Sequence, residues 1–424
     1  MQSGGSLEDG DGPVTDGAAA VPAQPRRRAT PEFRTTVYYF TTFMSSGAAV
    51  AYAGVWFEQR GLSSAEIGIV NALPVFIMLG LNLIVGRLAD RASDWRQVIV
   101  LGALLGSVIP LGLFFASGFW GILVVWTAAS LPLAAIGPVA DAAALRLTKR
   151  NGTDFGAIRA TGTVGYMIFN AVTGFIVAAF GSWIFPPLFV AVNLLRGIVA
   201  LWLPKFRAPA EVRTVAAVPA SFEAGRLREA LKPWFVLPLV GSSIVFGTHI
   251  ILNAFAVVLW EKQGIPASVS GPLIALAAFA EAATMYAYRR FGGRFSARTL
   301  IIVAALTSTF RWAAMGLSPP LSVLIFLQLL QSLSFAAGYL GTVHFIAKWT
   351  SESIAAEVQS FFVVLQQAAQ VIALTGFGWL VGLIGAQAYF AAAGCALIAA
   401  GCVWISMRLK QPQPGPVSTP IGAP

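Results

Sequence analysis

Long uninterrupted apolar runs constrain this chain more than any other feature of its sequence. Runs of 18 or more residues with few charges recur from one end to the other. A helix of that length crosses about 30 Å of hydrocarbon. The runs are continuous rather than alternating, so they read as helices and not as barrel strands. Twelve can be delimited, at residues 36–57, 67–88, 97–117, 119–140, 158–180, 183–203, 234–260, 269–290, 299–317, 321–346, 356–384 and 386–408. Charged residues make up only 11% of the chain and hydrophobic ones 57%, where a soluble domain carries about twice that charged share. The expected fold is an all-α integral membrane protein with twelve transmembrane helices.

The net charge of +10 invites a nucleic-acid reading, which the placement of the basic residues removes. With the N-terminus in the cytoplasm, 24 of the 28 Lys and Arg fall in cytoplasmic tails, loops or helix ends. Only Arg60 and Lys262 lie outside, and Arg196 and Arg311 lie within spans. This bias orients a membrane protein with both termini in the cytoplasm. The expected location is the cell inner (plasma) membrane, and the expected partners are the lipid bilayer, protons and a small-molecule substrate, with no nucleic acid.

The chain divides into two halves. Residues 1–33 are polar and Gly/Ala/Pro-rich, carry no secretory signal, and are expected to form a disordered cytoplasmic tail. Residues 34–203 hold six spans, and 234–410 hold six more, followed by a disordered tail at 411–424. Between them, 204–233 carries six basic and three acidic residues and four prolines. It reads as a cytoplasmic linker with an amphipathic surface helix from Ser221 to Leu231. A faint repeat supports the division: "GRLADR" from Gly86 to Arg91 follows span two, and "GRFSAR" from Gly293 to Arg298 follows span eight. Six spans per half keep the two copies parallel, as in transporters built of two six-helix bundles.

Twelve spans, a long linker after the sixth, and Gly-x-x-x-Asp-Arg after span two resemble the major facilitator superfamily. The resemblance implies two six-helix bundles related by a pseudo-two-fold axis around a central cavity, and a monomer. It makes Gly86, Asp90, Arg91 and Arg96 part of a cytoplasmic gate, with Asp90 at the N-terminal end of the next helix, where its charge is favoured. The motif's later glycine is missing, since this stretch reads "ASDW". Asp141 and Arg159, at the cytoplasmic ends of spans four and five, join the gate in this reading.

A narrower resemblance rests on "PVADAAALRLTKRNGTDFGAIRATGTVGY" from Pro138, "LAAFAEAATMY" from Leu276, "RW" at Arg311–Trp312 and "QLLQSLSFAAGY" from Gln328. These are similar to the phenylpropionate permease group, which is related to the lactose permease-like proton symporters. The likeness implies proton-driven uptake of a small organic solute.

The polar residues inside the spans supply the candidate site. Glu281 is the only acid near a span centre, where a charge costs roughly 2.5–3.5 kcal/mol on insertion scales. It reads as the proton-carrying carboxylate, against the alternative of a fixed structural ion pair. Arg311, at comparable depth, is its expected partner, and it could instead hold a substrate carboxylate in a bidentate fork. His249 is mid-span, with Asn253 four residues on and so on the same face. A histidine titrates near neutral pH and suits a proton relay, though a neutral, hydrogen-bonded histidine between helices fits nearly as well. Where lactose permease-like proteins carry His-x-x-Glu, this chain has Gln331 and Ser334, neither of which titrates. Coupling then falls to Glu281 with His249 and Arg311, and Gln328, Gln331 and Asn253 become substrate-binding candidates. Tyr38 and Tyr52 are candidates to line the other half of the cavity, against the commoner outcome of an aromatic facing lipid. Arg196 sits close enough to the cytoplasmic end of its span to snorkel.

Uptake of a small organic solute such as an aromatic carboxylate is the leading function. A neutral sugar, oligosaccharide or nucleoside is the alternative. Efflux ranks lower because span five lacks a Gly-Pro pair. An enzyme is not expected: two distant histidines, and Cys395 and Cys402 on one face of the last span, assemble neither a nucleophile nor a metal or cofactor site.

Overall fold

The computed structural model describes residues 29–207, 232–291, 294–350 and 352–409. Both tails, most of the linker with its expected helix at 221–231, and Gly293 of the second motif copy lie outside the described residues. So do the surroundings of Gly86 and the side chain of Asp90.

Among the described residues the regular structure is helical throughout. The first half contains α1 (Pro31–Gln59), α2 (Ser64–Arg91), α3 (Trp95–Val108), α4 (Gly118–Asn151), α5 (Phe155–Phe180) and α6 (Phe185–Leu201). The second contains α7 (Pro233–Lys262), α8 (Ala267–Phe291), α9 (Ala297–Gly316), α10 (Leu321–Leu329), α11 (Ala337–Trp349), α12 (Glu352–Ile384) and α13 (Tyr389–Arg408). A π turn at Ser332–Ala336 joins α10 and α11 into one continuous rod.

Local chemistry sets the helix starts. Ser63 and Glu66 form a reciprocal capping box on α2, and Asp154 accepts the Gly156 N–H at 2.8 Å to start α5. Gly152 ends α4 at φ 66°, a left-handed conformation that glycine adopts without a Cβ penalty.

Ten stretches are long and apolar enough to cross a membrane, and one of them, Glu357–Arg408, takes in both α12 and α13. Helix α1 is not among the ten, because threonines and serines dilute its hydropathy. Several of its hydroxyls are nonetheless satisfied inside the protein, although those of Tyr38 and Thr42 are buried without a partner. Thr35 donates to the Pro31 carbonyl at 2.8 Å, Thr41 to Tyr38 at 3.0 Å, and Ser45 to Asn193 Oδ1 on α6 at 2.8 Å. That is what a hydrocarbon surrounding requires. The outer surface is apolar: Phe115, Trp120 and Ile372 are exposed at 88%, 73% and 71%. A surface of this kind suits lipid rather than water.

The helices form two bundles. In the first, α1 packs on α5 and α6, α3 on α4 and α6, and α2 on α4. In the second, α7 packs on α12 and α13, and α9 on α11 and α13. The bundles meet at three seams, α2 with α12, α5 with α8, and α1 with α7. Small residues close the seams. A methyl on Gly68 would meet the Leu374 carbonyl, one on Gly271 the Asn170 carbonyl, and one on Gly54 the Ala254 carbonyl. All three contacts lie toward the ends where α1 stops and α2 begins.

The short loop after α2 differs from expectation. Helix α2 continues through Arg91, so Asp90 lies in its last turn rather than at the start of the next helix. Asp94 takes the capping role: it accepts the Arg96 N–H at 2.8 Å and also the N–H groups of Phe206 at 3.1 Å and Arg207 at 3.0 Å. Arg96 donates to the carbonyls of Leu201 at 2.6 Å and Leu203 at 2.7 Å, satisfying the open C-terminus of α6. Together they clip the start of α3 to the end of α6.

Candidate functional site

Between the bundles lies a cavity of about 420 Å³. From α5 it is lined by Arg159, Thr163 and Tyr166, and from α8 by Glu281 and small residues. From α7 come His249, Asn253 and Trp260, and from the α10–α11 rod Gln328, Gln331 and Phe335. Phe43 and Ser46 of α1 and Gln366 and Gln370 of α12 complete it. The walls are thus largely apolar, with the rings of Phe43, Tyr166, Phe246, Trp260 and Phe335, one carboxylate, one guanidinium and a set of amides among them.

Glu281 and Arg311 do not pair as expected. Arg311 is 0% exposed, and among the described residues its hydrogen-bond partners are all neutral. Its Nη2 donates to Gln328 Oε1 at 2.7 Å, and its Nη1 donates to Gln331 Oε1 and to Ser334 Oγ at 3.3 Å. Gln328 and Gln331 are three apart and share a helix face, so their amide oxygens meet the guanidinium fork together. Glu281 lines the same cavity as Gln331 and Arg159, and among the described residues no ion pair joins it to Arg311. The acceptors expected from Glu281 come to Arg311 from Gln328, Gln331 and Ser334 instead.

Arg159, expected at the gate, stands in the cavity wall with its guanidinium 4.2 Å over the Phe43 ring. That contact is a cation–π interaction.

His249 is buried between α7 and the α10–α11 rod. Its Nδ1 lies 2.8 Å from the Val245 carbonyl and its Nε2 3.0 Å from Ser334 Oγ. A carbonyl can only accept, so Nδ1 carries the hydrogen, and the neutral ring accepts from Ser334 at Nε2. An edge contact with Trp312 and a tilted one with Phe335 fix the ring. Ser334 is thus shared by His249 and Arg311, and the π turn is what aims it. Such turns recur at functional positions in helices.

Asn253, Gln328 and Gln331 line the cavity as expected, whereas Tyr38 and Tyr52 are buried away from its lining. Tyr38 packs beside Arg196 within the first bundle. Tyr52 donates to the Ala267 carbonyl at 2.9 Å, at the end of the α5–α8 seam where α8 begins. Arg196 does not snorkel. It is 1% exposed, because its face of α6 is the one packed on α1 and α3. Of the gate candidates, Asp141 accepts the Tyr39 hydroxyl at 2.6 Å, and Arg91 is exposed.

Gln366 and Gln370 were missed, although two amides four residues apart in an apolar helix mark a common face. Phe246, Trp260 and Phe335 carry no sequence signal that separates cavity aromatics from core aromatics.

Residues 33–397 match the family described as the MFS_1 like family, and the chain belongs to it. It is a membrane transporter of the major facilitator type. Among curated relatives, a probable 3-phenylpropionic acid transporter of Escherichia coli (strain K12) is 26% identical over 85% of this chain and 93% of its own length. A maltose permease of Geobacillus stearothermophilus is 29% identical over 67% of this chain and 71% of its own. Among solved structures, the nucleoside transporter NupG superposes with a TM-score of 0.78 at 16% identity, covering 90% of this chain and all of that one. An inward-open structure of the xylose transporter XylE from E. coli gives 0.65 at 12% identity, covering 88% and 94%. Likeness at such identities carries the fold alone.

Proposed function

We propose that this protein takes up a small organic anion, such as an aromatic carboxylate, together with a proton. The observation that carries the reading is the charge balance at and behind the cavity wall: Arg159 lines the cavity with one carboxylate, Glu281, and Arg311, buried behind Gln328 and Gln331, is hydrogen-bonded among the described residues only to neutral groups. A site with a surplus cation behind its wall, aromatic rings in its lining and amide donors fits a carboxylate carried on a ring. The probable phenylpropionic acid transporter among the relatives agrees with this substrate class.

In this reading Glu281 carries the coupling proton, and the two bundles rock about the cavity to expose it to each side in turn. The chain crosses the inner membrane twelve times with both termini in the cytoplasm, counting α1 and treating α12 and α13 as separate spans. Residues 34–203 and 234–410 are the two moving bodies. The glycine-lined seams then lie on the outer side, and the arrangement described here is the inward-open one. Gly86, Asp90, Arg91, Arg96 and Asp141 serve the cytoplasmic gate.

A second reading has its own support. Five amide side chains, Asn253, Gln328, Gln331, Gln366 and Gln370, line the cavity, and such groups also suit a neutral hydroxylated solute such as a sugar or nucleoside.

Uptake into cells or vesicles of radiolabelled 3-phenylpropionate, maltose and a nucleoside, with and without a protonophore, separates the two. Accumulation of 3-phenylpropionate that the protonophore abolishes is expected. Accumulation of maltose or the nucleoside alone would replace the first reading by the second.

A further inference from the structure

Among the described residues, Arg159 stands in the cavity wall without a hydrogen bond, and no ion pair joins it to Glu281 or Asp141. The Asp141 carboxylate is engaged elsewhere, by the Tyr39 hydroxyl at 2.6 Å. What holds the guanidinium is the Phe43 ring, whose centroid lies 4.2 Å from its central carbon. Arg311 is the opposite case, with both terminal nitrogens committed to Gln328, Gln331 and Ser334.

Packing between α1 and α5 seats that ring. Phe43 follows Tyr39 by four residues on α1, and the two rings stack with centroids 6.5 Å apart and planes at 12°. On α5, Gly162 follows Arg159 by three residues and shares its face. A Cβ at Gly162 would lie 2.8 Å from Phe43 Cδ2 and 3.1 Å from its Cγ. The ring therefore rests on the helix backbone one turn from the arginine, and only glycine admits it so closely. A ring face attracts a cation through its quadrupole. Arginine has five N–H donors and no acceptor, so a guanidinium held by a ring keeps its whole fork for a ligand in the cavity. It is also placed before the ligand comes, and such preorganisation raises affinity by lowering the cost of ordering.

We propose that Phe43 is a positioning residue that sets the preference for an anion: it holds Arg159 by the ring face with its donors free, and the substrate carboxylate enters the guanidinium fork without displacing a side chain. This rests on the anion-uptake reading above. The carboxylate takes charge-assisted bonds in the plane of the guanidinium, while the ring keeps its contact with the face, so both are made at once. A neutral ligand gains less from the same fork, because its oxygen carries no charge to strengthen the bonds. Arg311 reaches an anion only by exchanging the amide oxygens it already holds.

The test is titration calorimetry of the purified full-length protein with 3-phenylpropionate and with its uncharged analogue 3-phenylpropionamide. Phe43→Leu keeps an apolar side chain and removes the ring face. It should weaken 3-phenylpropionate binding ~tenfold, the scale of one cation–π contact, and change 3-phenylpropionamide binding by less than about twofold. Phe43→Tyr keeps the face and should bind the anion within about twofold of wild type. Gly162→Ala alters neither partner, but its Cβ displaces the ring. It should weaken the anion about threefold or more and spare the amide, and a helix interior accepts alanine more readily than glycine, so the fold is kept. Equal weakening of both ligands in Phe43→Leu would make the ring cavity wall and nothing more. That result overturns the positioning role and leaves anion uptake standing. So does wild-type anion binding in Phe43→Leu or Gly162→Ala, or a Phe43→Tyr that falls as far as Phe43→Leu. If wild type binds maltose but not 3-phenylpropionate, the anion reading itself falls and takes this role with it.

Discussion

Arg196 and Arg311 are both guanidinium groups buried in membrane helices, one in each bundle, and their surroundings differ. Arg311 has acceptors on both terminal nitrogens, all of them neutral and all from the α10–α11 rod beside the cavity. Arg196 faces the core of the first bundle, where its Nε and Nη2, and the hydroxyl of neighbouring Tyr38, have no hydrogen-bond partner. Burial alone therefore does not mark a working cation. An amide oxygen that already satisfies a guanidinium can be exchanged for a substrate carboxylate with little net loss of hydrogen bonding. Arg196 offers no such exchange, and nothing at its position opens to the cavity.

The contrast is broken or sharpened by four substitutions. Arg311→Ala should abolish uptake, a loss of ~100-fold or more, measured as initial rates into vesicles with an imposed pH gradient. A variant with near-normal rates would make Arg311 as silent as Arg196 is expected to be. Next comes Glu281→Gln, which mimics the protonated carboxyl at nearly equal volume. It should exchange substrate across the membrane at equilibrium within about threefold of wild type, and lose accumulation against a gradient. If it still concentrates substrate, Glu281 is a structural charge.

Arg196→Met removes a buried cation without removing a partner's counter-charge. Thermal unfolding in detergent should show stability unchanged or raised by about 2 kcal/mol, with the substrate affinity unaltered. A large loss of affinity would move Arg196 into the site. The smallest effect expected is for Asp94→Ala, which removes the cap of α3 and the clip to Phe206 and Arg207. Its cost should be about 1 kcal/mol of stability, with slower cycling and near-normal binding. A binding defect larger than the stability defect would connect this corner to the cavity.

Much of this protein was legible in its sequence. Helices long enough to span follow from hydropathy along one dimension, because a bilayer imposes its demands locally on each segment. Glu281, His249 and Arg311 stood out for the same reason: an ionisable group in an apolar run is conspicuous without any knowledge of its neighbours. Which of them touch was decided by the tertiary structure. Depth along two helices made Glu281 and Arg311 plausible partners, but the π turn and the Gln328–Gln331 face gave Arg311 neutral acceptors instead, and helix rotation turned Arg159 into the cavity and Tyr38, Tyr52 and Arg196 away from it. Side-chain facing is a property of packing among several helices, and no single run of sequence contains it. The same holds at the end of α2, where one more turn of helix moved the capping role from Asp90 to Asp94.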